Sequence, residues 1–135
     1  MRRASHLAQR LGIADRVEFR GHVDDVEAEY AGLDVLVHTS TIPEPFGQVV
    51  LEGMAAGLPV IAADSGGPAE LITDGVNGLL AAPGDVVCLA AQLSRLLGDP
   101  ALCARLTTAA RERAAEFSPQ RTAIEVLAVY HDVMV

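Results

Sequence analysis

Two carboxylates, those of Glu44 and Glu52, lie eight positions apart on either side of a short run of good helix formers. A proline directly after Glu44 restricts that residue to an extended conformation. The run that follows predicts a helix that begins at Phe46 or Gly47 and ends at Gly57. On this pattern Glu44 precedes the helix and Glu52 lies about two turns inside it, so the two carboxyl groups are separated by a distance close to the span of a diphosphate.

The first turn of the predicted helix supplies the other half of the chemistry. The free N–H groups of Phe46, Gly47 and Gln48 would carry the positive end of the helix dipole, where anions bind. Because Gly47 has no side chain, an anion can approach this backbone closely. One acid for sugar hydroxyls, amides for phosphate and a second acid for ribose hydroxyls would suit a nucleoside-diphosphate sugar. The alternative is that both glutamates are ordinary acids of a helix start and a helix surface.

The two glutamates belong to a series of sequence blocks that follow one another in a set order: residues 35–40, 45–47, 51–60, 66–70 and 74–80. This order resembles the C-terminal half of the retaining glycosyltransferases that have two facing Rossmann-like domains. That large family includes bacterial capsule, glycolipid and mannosyl transferases, and its hallmark is a pair of glutamates separated by seven residues. The resemblance extends from about Val17 to the end of the chain.

The resemblance implies the donor-binding half of an enzyme that moves a sugar from a nucleotide diphosphate sugar to an acceptor hydroxyl. It implies Glu44 as the catalytic residue, which binds sugar hydroxyls, and Glu52 as the ligand of the ribose diol. The backbone from Phe46 to Gln48 would bind phosphate, and neither glutamate would be a covalent nucleophile. No metal or other cofactor is expected, because no Asp-x-Asp lies near the site and the helix end would stabilise the charge.

Three weaker candidates lie around this segment. His38 ends a predicted strand and would contact donor phosphate or form a hydrogen-bonded wall of the site. The Ser40 hydroxyl would bind sugar or phosphate, or simply stabilise a turn. Gly66 and Gly67 would either present amides to a ligand or begin a helix with Pro68 in its first turn.

Composition narrows the classes of partner. The 135 residues carry a net charge of −8, which disfavours nucleic acid and anionic membranes as partners of the whole surface. No apolar run approaches the roughly 20 residues of a membrane span, so we expect a soluble, cytoplasmic protein with Cys88 and Cys103 as buried thiols. All ten basic residues are arginines. The family resemblance implies an Arg and a Lys upstream of the matched region that grip the diphosphate, and this chain has no lysine.

Strands alternate with helices along the first two thirds of the chain, which predicts an α/β fold with a parallel sheet. The predicted strands are residues 16–20, 34–38, 59–63 and 78–82. The predicted helices are residues 5–11, before the first strand, and residues 24–32, 46–57 and 66–73, between the strands. After Asp85 the pattern is helical, and Ser118 is the predicted N-cap of a last helix. Together with the resemblance, this predicts a Rossmann-like, doubly wound parallel sheet, the C-terminal half of a GT-B fold, with a helical C-terminal segment.

The resemblance also implies that residues 1–135 are a single, N-terminally incomplete donor-binding domain. Residues 16–20 match the third strand of a sheet ordered 3-2-1-4-5-6, and the first two strands have no counterpart. We therefore expect a missing N-terminal acceptor domain, no transfer by this chain alone and self-association through the incomplete sheet. The alternative is a non-catalytic nucleotide-sugar-binding module or partner subunit. A glucan phosphorylase would need a lysine for pyridoxal phosphate, and a Rossmann oxidoreductase would need G-x-G-x-x-G.

Overall fold

Three parallel strands form the sheet in the computed structural model, which describes residues 2–134. The strands are β1 (Leu36–Val37), β2 (Val60–Ala63) and β3 (Leu79–Ala81), and they lie in the order β1-β2-β3. The helices are α1 (Arg2–Arg10), α2 (Val26–Ala31), α3 (Gln48–Ala56), α4 (Gly67–Leu71), α5 (Val86–Gly98), α6 (Pro100–Ala115) and α7 (Pro119–Val133). The predicted alternation of strands and helices, followed by a helical segment, is confirmed.

The predicted strand at residues 16–20 is wrong. Residues 14–16 form a 3-10 turn, and residues 17–20 have no regular structure. A strand requires a neighbour for its N–H and C=O groups, and the bonds of β1 run to β2, as from Leu36 N–H to the Pro59 carbonyl. Direct pairing between residues 16–20 and 34–38 is not formed among the described residues. Arg20 is instead held by ion pairs with Glu18 and Glu29.

The central strand β2 is buried on both faces, as a parallel strand between two layers of helices should be. Its residues divide between two apolar clusters. One cluster lies toward α3, α4 and the end of α6 and contains Val50, Met54, Val60, Ala62, Leu71, Ile72, Ala110 and Ala114. The other lies toward α5 and the start of α6 and contains Ile61, Leu79, Ala81, Leu96, Leu102 and Leu106. The core is therefore built mainly from aliphatic side chains, in keeping with an aromatic content of only 4%.

The core fixes α3 at several points. Gly53 packs so closely on Leu36 that any side chain there would overlap it. At the other end of α3, the Arg111 guanidinium from α6 donates to the Ala56 carbonyl at 3.4 Å. Since the last carbonyls of a helix carry the negative end of its dipole, this cation stabilises the C-terminus of α3. The N-terminus of the same helix is thereby held at a defined place relative to the sheet.

The outer helices differ in how they pack. No described residue of α7 is buried, and Ile124, Leu127 and Val133 are more than half exposed. No single helix within residues 2–134 is long and apolar enough to cross a membrane. By length and composition, α5 and α6 could cross a membrane only as a pair, and the two helices of that pair are bent by 102° relative to each other. Cys88 and Cys103 are free and partly buried, and the Cys103 thiol donates to the Leu96 carbonyl at 3.2 Å.

Candidate functional site

The helix between the two glutamates begins at Gln48, later than predicted. Gly47 is the N-cap of α3, with φ of 85° and ψ of 49°. A residue with this left-handed backbone does not continue a right-handed helix, which explains why α3 begins after Gly47. Glu52 consequently lies about one turn, or about 6 Å, inside α3 instead of the predicted two turns.

A row of backbone amides at this helix start is without an acceptor. Within the part of the chain that the structure describes, the N–H groups from Phe46 to Val50 make no hydrogen bond; the first bond is from Leu51 N–H to the Gly47 carbonyl, at 3.1 Å. The amides predicted to bind phosphate are therefore free. Four other helices have aspartate or serine N-caps whose side chains accept from the helix, whereas α3 and α4, which have glycine N-caps, have no such bond.

The loop that carries Glu44 rests on the start of α4. Gly67 N–H donates to the Glu44 carbonyl at 2.8 Å, and a Cβ at Gly67 would overlap the backbone of Phe46. Of the two roles considered for the glycine pair, the helix start is the one formed: α4 begins at Gly67, with Pro68 in its first turn. The Gly67 amide is bonded to protein, so the pair supports the loop.

The structure adds a steric reason for glycine at position 47, and the predicted close approach of an anion stays a prediction. A Cβ at this position would lie 2.9 Å from Cγ of Pro68, so a side chain would meet the start of α4. The positive φ favours glycine independently. A larger residue at Gly47 would therefore displace the loop, and would not merely fill the space of an anion.

His38, which follows β1, lies beside Glu44. Its Nε2 is 2.6 Å from Oε1 of Glu44, and its side chain is 12% exposed. The two groups are within ion-pair distance but are not aligned as a hydrogen bond, so Glu44 Oε1 is buried without a hydrogen-bond partner. His38 Nδ1, the other ring nitrogen, is also buried without one. Of the two roles considered for His38, this geometry favours a wall that contacts the first glutamate. The Glu44 side chain remains 38% exposed and can still reach a ligand.

Ser40 lies at a small cavity at the carboxyl ends of the three strands. The cavity has a volume of about 120 Å³ and is also lined by His38, Ala63 and Ala82. Ser40 Oγ donates to the Ile42 carbonyl at 2.8 Å, so this hydroxyl stabilises its own turn, the second of the two roles considered for it. Its oxygen can still accept a hydrogen bond.

Glu52 is held by two side chains. Tyr30 Oη donates to Oε2 at 2.8 Å, and Gln48 Nε2 donates to Oε1 at 3.0 Å. Tyr30 is 9% exposed and lies on α2, so its hydroxyl joins α2 to α3. Neither side chain is singled out by the sequence pattern. A signal for Tyr30 did exist, because a tyrosine on a packed helix usually finds a partner for its hydroxyl.

An open groove of about 830 Å³ lies beside Glu52, between α2 and α3. Its lining combines apolar residues, such as Val26 and Ala55, with Tyr30 and the carboxylates of Asp24, Asp25, Glu27 and Glu52. The apolar part can cover a flat ring, and the acids can accept hydrogen bonds from N–H groups at its edge. The groove is therefore large enough for a flat ring attached to a group bound at Glu52.

Tyr30 gives the free energy of unfolding a dependence on alkaline pH. Burial, then the hydrogen bond and charge of Glu52, raises the pKa of Tyr30 from 10.0 to about 12. Because the folded pKa exceeds the unfolded one, this stabilisation is complete below pH 10 and is lost as the pH rises through about 12. We expect the free energy of unfolding, measured in urea between pH 10 and pH 12, to fall more steeply for the natural chain than for Tyr30→Phe. The chain has no lysine to titrate in this range, and equal slopes would contradict the prediction.

The acids and histidines of this region do not gather around one point. Within residues 2–134, no group of three or more His, Cys, Asp and Glu side chains could hold a metal ion. What the residues do bring together is a row of free amides with one carboxylate on each side. Such an arrangement can bind an elongated molecule that has an anionic centre and hydroxyl groups toward both ends.

Solved structures share this fold. HepE from Anabaena, in complex with UDP, is 35% identical with a TM-score of 0.89, over 98% of this chain and 36% of its own. A second HepE structure is in complex with UDP-glucose, with 38% identity and a TM-score of 0.83, over 85% of this chain and 32% of its own. Sucrose-phosphate synthase from Thermosynechococcus elongatus is 36% identical with a TM-score of 0.90, over 98% of this chain and 34% of its own. The sheet and its helices thus match the C-terminal Rossmann-like domain of GT-B glycosyltransferases.

Sequence comparison gives the same family. The D-inositol 3-phosphate glycosyltransferase of Salinispora arenicola is 41% identical over 130 residues, which are 95% of this chain and 29% of that protein. The chain thus spans about a third of the length of the curated relatives that it matches. The profile of the family described as Glycosyl transferases group 1 matches residues 2–113. The chain therefore belongs to the group 1 glycosyl transferases.

Proposed function

We propose that this chain is the donor-binding half of a retaining glycosyltransferase, which transfers a sugar from a nucleotide diphosphate sugar to an acceptor hydroxyl. The observation that carries the proposal is the row of free amides between Glu44 and Glu52. The UDP and UDP-glucose held by HepE support this class of donor. The acceptor half belongs, in this proposal, to an N-terminal domain of the whole protein.

The free amides at the start of α3 are the proposed diphosphate site. Five consecutive N–H groups, from Phe46 to Val50, have no acceptor within the described residues, and the helix dipole adds positive potential at the same place. Hydrogen bonds from amides to an anion are stronger than those between neutral groups. The lysine that the family resemblance implies would come from another part of the whole protein, since this chain has none.

Glu52 is the proposed ligand of the ribose diol. Its carboxylate lies about 6 Å further along α3 than the first helical residue, so it can bind the part of the donor beyond the phosphates. The groove beside Glu52 then offers space for the base. This assignment orients the nucleotide with its base toward α2 and its sugar toward Glu44.

Glu44 is the proposed catalytic residue, through hydrogen bonds to the hydroxyls of the transferred sugar. When the nucleotide departs, negative charge grows on the diphosphate and positive charge grows on the sugar ring. The helix end stabilises the negative charge on the diphosphate, and the Glu44 carboxylate is available to the positive charge on the sugar. Neither glutamate forms a covalent bond with the sugar. In this scheme His38 contacts the Glu44 carboxylate, and Ser40 lines the cavity next to the proposed position of the sugar. The scheme requires no metal.

Calorimetric titration with UDP and with UDP-glucose tests this assignment. Glu52→Ala is expected to weaken both ligands by about 1 to 3 kcal/mol, because the ribose diol loses a charged acceptor. Glu44→Ala is expected to leave the affinity for UDP unchanged and to lower the affinity for UDP-glucose. Glu112→Ala, which removes an exposed carboxylate from α6, is the matched control.

Two results would count against the assignment. Equal affinity of the natural chain and Glu52→Ala for UDP would remove Glu52 from the site. Equal weakening of both ligands by Glu44→Ala would show that the division of roles between the two glutamates is wrong.

A further inference from the structure

The Glu52 carboxylate is bonded on both oxygens by donors of unequal rigidity. Gln48 is exposed and lies four residues before Glu52 on the same helix, so its bond moves with α3. Tyr30 comes from α2, is 9% exposed and contacts Glu52 across a separation of 22 residues. The phenol can move little within its packed surroundings, so it is the Tyr30 bond that fixes the direction of the carboxylate relative to the rest of the fold.

The number of bonds at Glu52 matters as well. An ionised carboxylate accepts about four hydrogen bonds, two at each oxygen. Tyr30 takes one position on Oε2 and Gln48 takes one on Oε1. One position remains on each oxygen, and that is the number that a vicinal diol with two hydroxyl donors requires.

From this geometry we propose that Tyr30 is a positioning residue: its hydroxyl, at the end of a buried ring, holds Oε2 of Glu52 so that the carboxylate meets both hydroxyls of a ribose at once. This inference rests on the proposed function, because it assumes that Glu52 binds the ribose. It gives α2 a second part in ligand binding, beside its contribution to the groove, although no residue of α2 belongs to the amide row.

The surroundings of Tyr30 suit this role. Burial and the neighbouring carboxylate raise the pKa of Tyr30 to about 12, so the hydroxyl remains a donor throughout the neutral range. The helix that carries Tyr30 is itself anchored: Asp25 caps its start by accepting from the Ala28 amide at 3.0 Å, and Arg20 pairs with Glu29 at 2.5 Å. A fixed donor on an anchored helix loses little conformational entropy when the ligand binds.

Tyr30→Phe tests the inference, because phenylalanine keeps the buried ring and removes only the hydroxyl. The probes are UDP, which has both ribose hydroxyls, and 2′,3′-dideoxy-UDP, which has neither. We expect Tyr30→Phe to lower the affinity for UDP by about 3- to 10-fold, which corresponds to the loss of one oriented hydrogen bond. The affinity for the dideoxy nucleotide should not change. Tyr130→Phe, at the exposed second tyrosine of the chain, is the matched control and should change neither affinity.

A double variant separates positioning from a general effect on folding. With Glu52→Ala already present, Tyr30→Phe should cause no further loss of UDP affinity, since the group that it positions is gone. Equal weakening of both nucleotides by Tyr30→Phe would overturn the inference and leave Tyr30 a packing residue. If Glu52→Ala weakens UDP and Tyr30→Phe does not, only the inference fails. If Glu52→Ala leaves UDP binding unchanged, the proposed function fails first.

Discussion

Gly67→Ala is expected to reduce UDP affinity by about 100-fold or more, although Gly67 touches no part of the proposed ligand. A Cβ at this position would overlap the backbone of Phe46, and the Gly67 amide is bonded to the Glu44 carbonyl. The loop must therefore move away from α4, which misaligns Glu44 and the amides together. We expect a loss of about 1 to 3 kcal/mol in the free energy of unfolding, as for other overpacked sites.

The measurement is UDP titration together with urea denaturation, with Gly98→Ala as the control. Gly98 ends α5, and nothing lies within 4 Å of where its Cβ would be. That variant should bind UDP like the natural chain and be as stable or slightly more stable. A folded Gly67→Ala protein that binds UDP normally would show that the loop does not depend on α4 for its position.

The 135-residue chain by itself is expected to transfer no sugar and to self-associate. The proposed acceptor half is not within it, and the chain spans about a third of the length of its relatives. Its sheet ends at β1, and α7 exposes Ile124 and Leu127. An open strand edge and an apolar helix face both favour contact with a second copy. Light scattering and a transfer assay with UDP-glucose measure the two expectations.

Two variants show which surface is responsible. Ile124→Glu with Leu127→Glu should shift the chain toward monomer, whereas Val87→Glu, at an even more exposed valine of α5, should not. Joining the chain to the N-terminal part of a full-length relative should restore transfer and reduce association. A monomeric 135-residue chain that transfers sugar would refute the prediction, and binding without transfer even in the joined protein would favour a non-catalytic binding module.

Local signals encode most of the elements of this fold. The apolar run at residues 35–37 predicts a strand covered on both faces, and β1 does form there, but its residues are only partly buried, whereas β2 is the strand that is buried on both faces. Ser118 is recognisable as an N-cap because its oxygen can accept from the helix that follows, which it does at Arg121 N–H. The sequence predicts a start of α3 at Phe46 or Gly47, which is too early, because the presence of a glycine does not reveal whether its φ is positive. The contact that further restricts this position is with Pro68, which is distant in the sequence and would lie 2.9 Å from a Cβ at Gly47.

Contacts between distant segments are what local patterns do not encode. Residues 16–20 have the alternation of a strand, but a strand forms only beside a partner, and none of the described strands takes that place. The bond from Tyr30 to Glu52 spans 22 residues, and the Gly67 contact joins the loop of Glu44 to the start of α4. These long-range contacts determine the fine geometry of the site, whereas the two glutamates and the helix between them were recognisable from their spacing.

The glycine cap of α3 also links ligand supply to the lifetime of the folded protein. A helix that lacks a side-chain cap gains stability from whatever anion occupies its N-terminus. A ligand at about 100 times its dissociation constant adds about 2.7 kcal/mol to the folded state, a large fraction of the stability of a small domain. Because α3 packs against β1 and is bonded to α6, this gain extends to the whole core. A shortage of the proposed donor would then increase the fraction of the protein that unfolds and is degraded, so that the proposed ligand and the protein decline together.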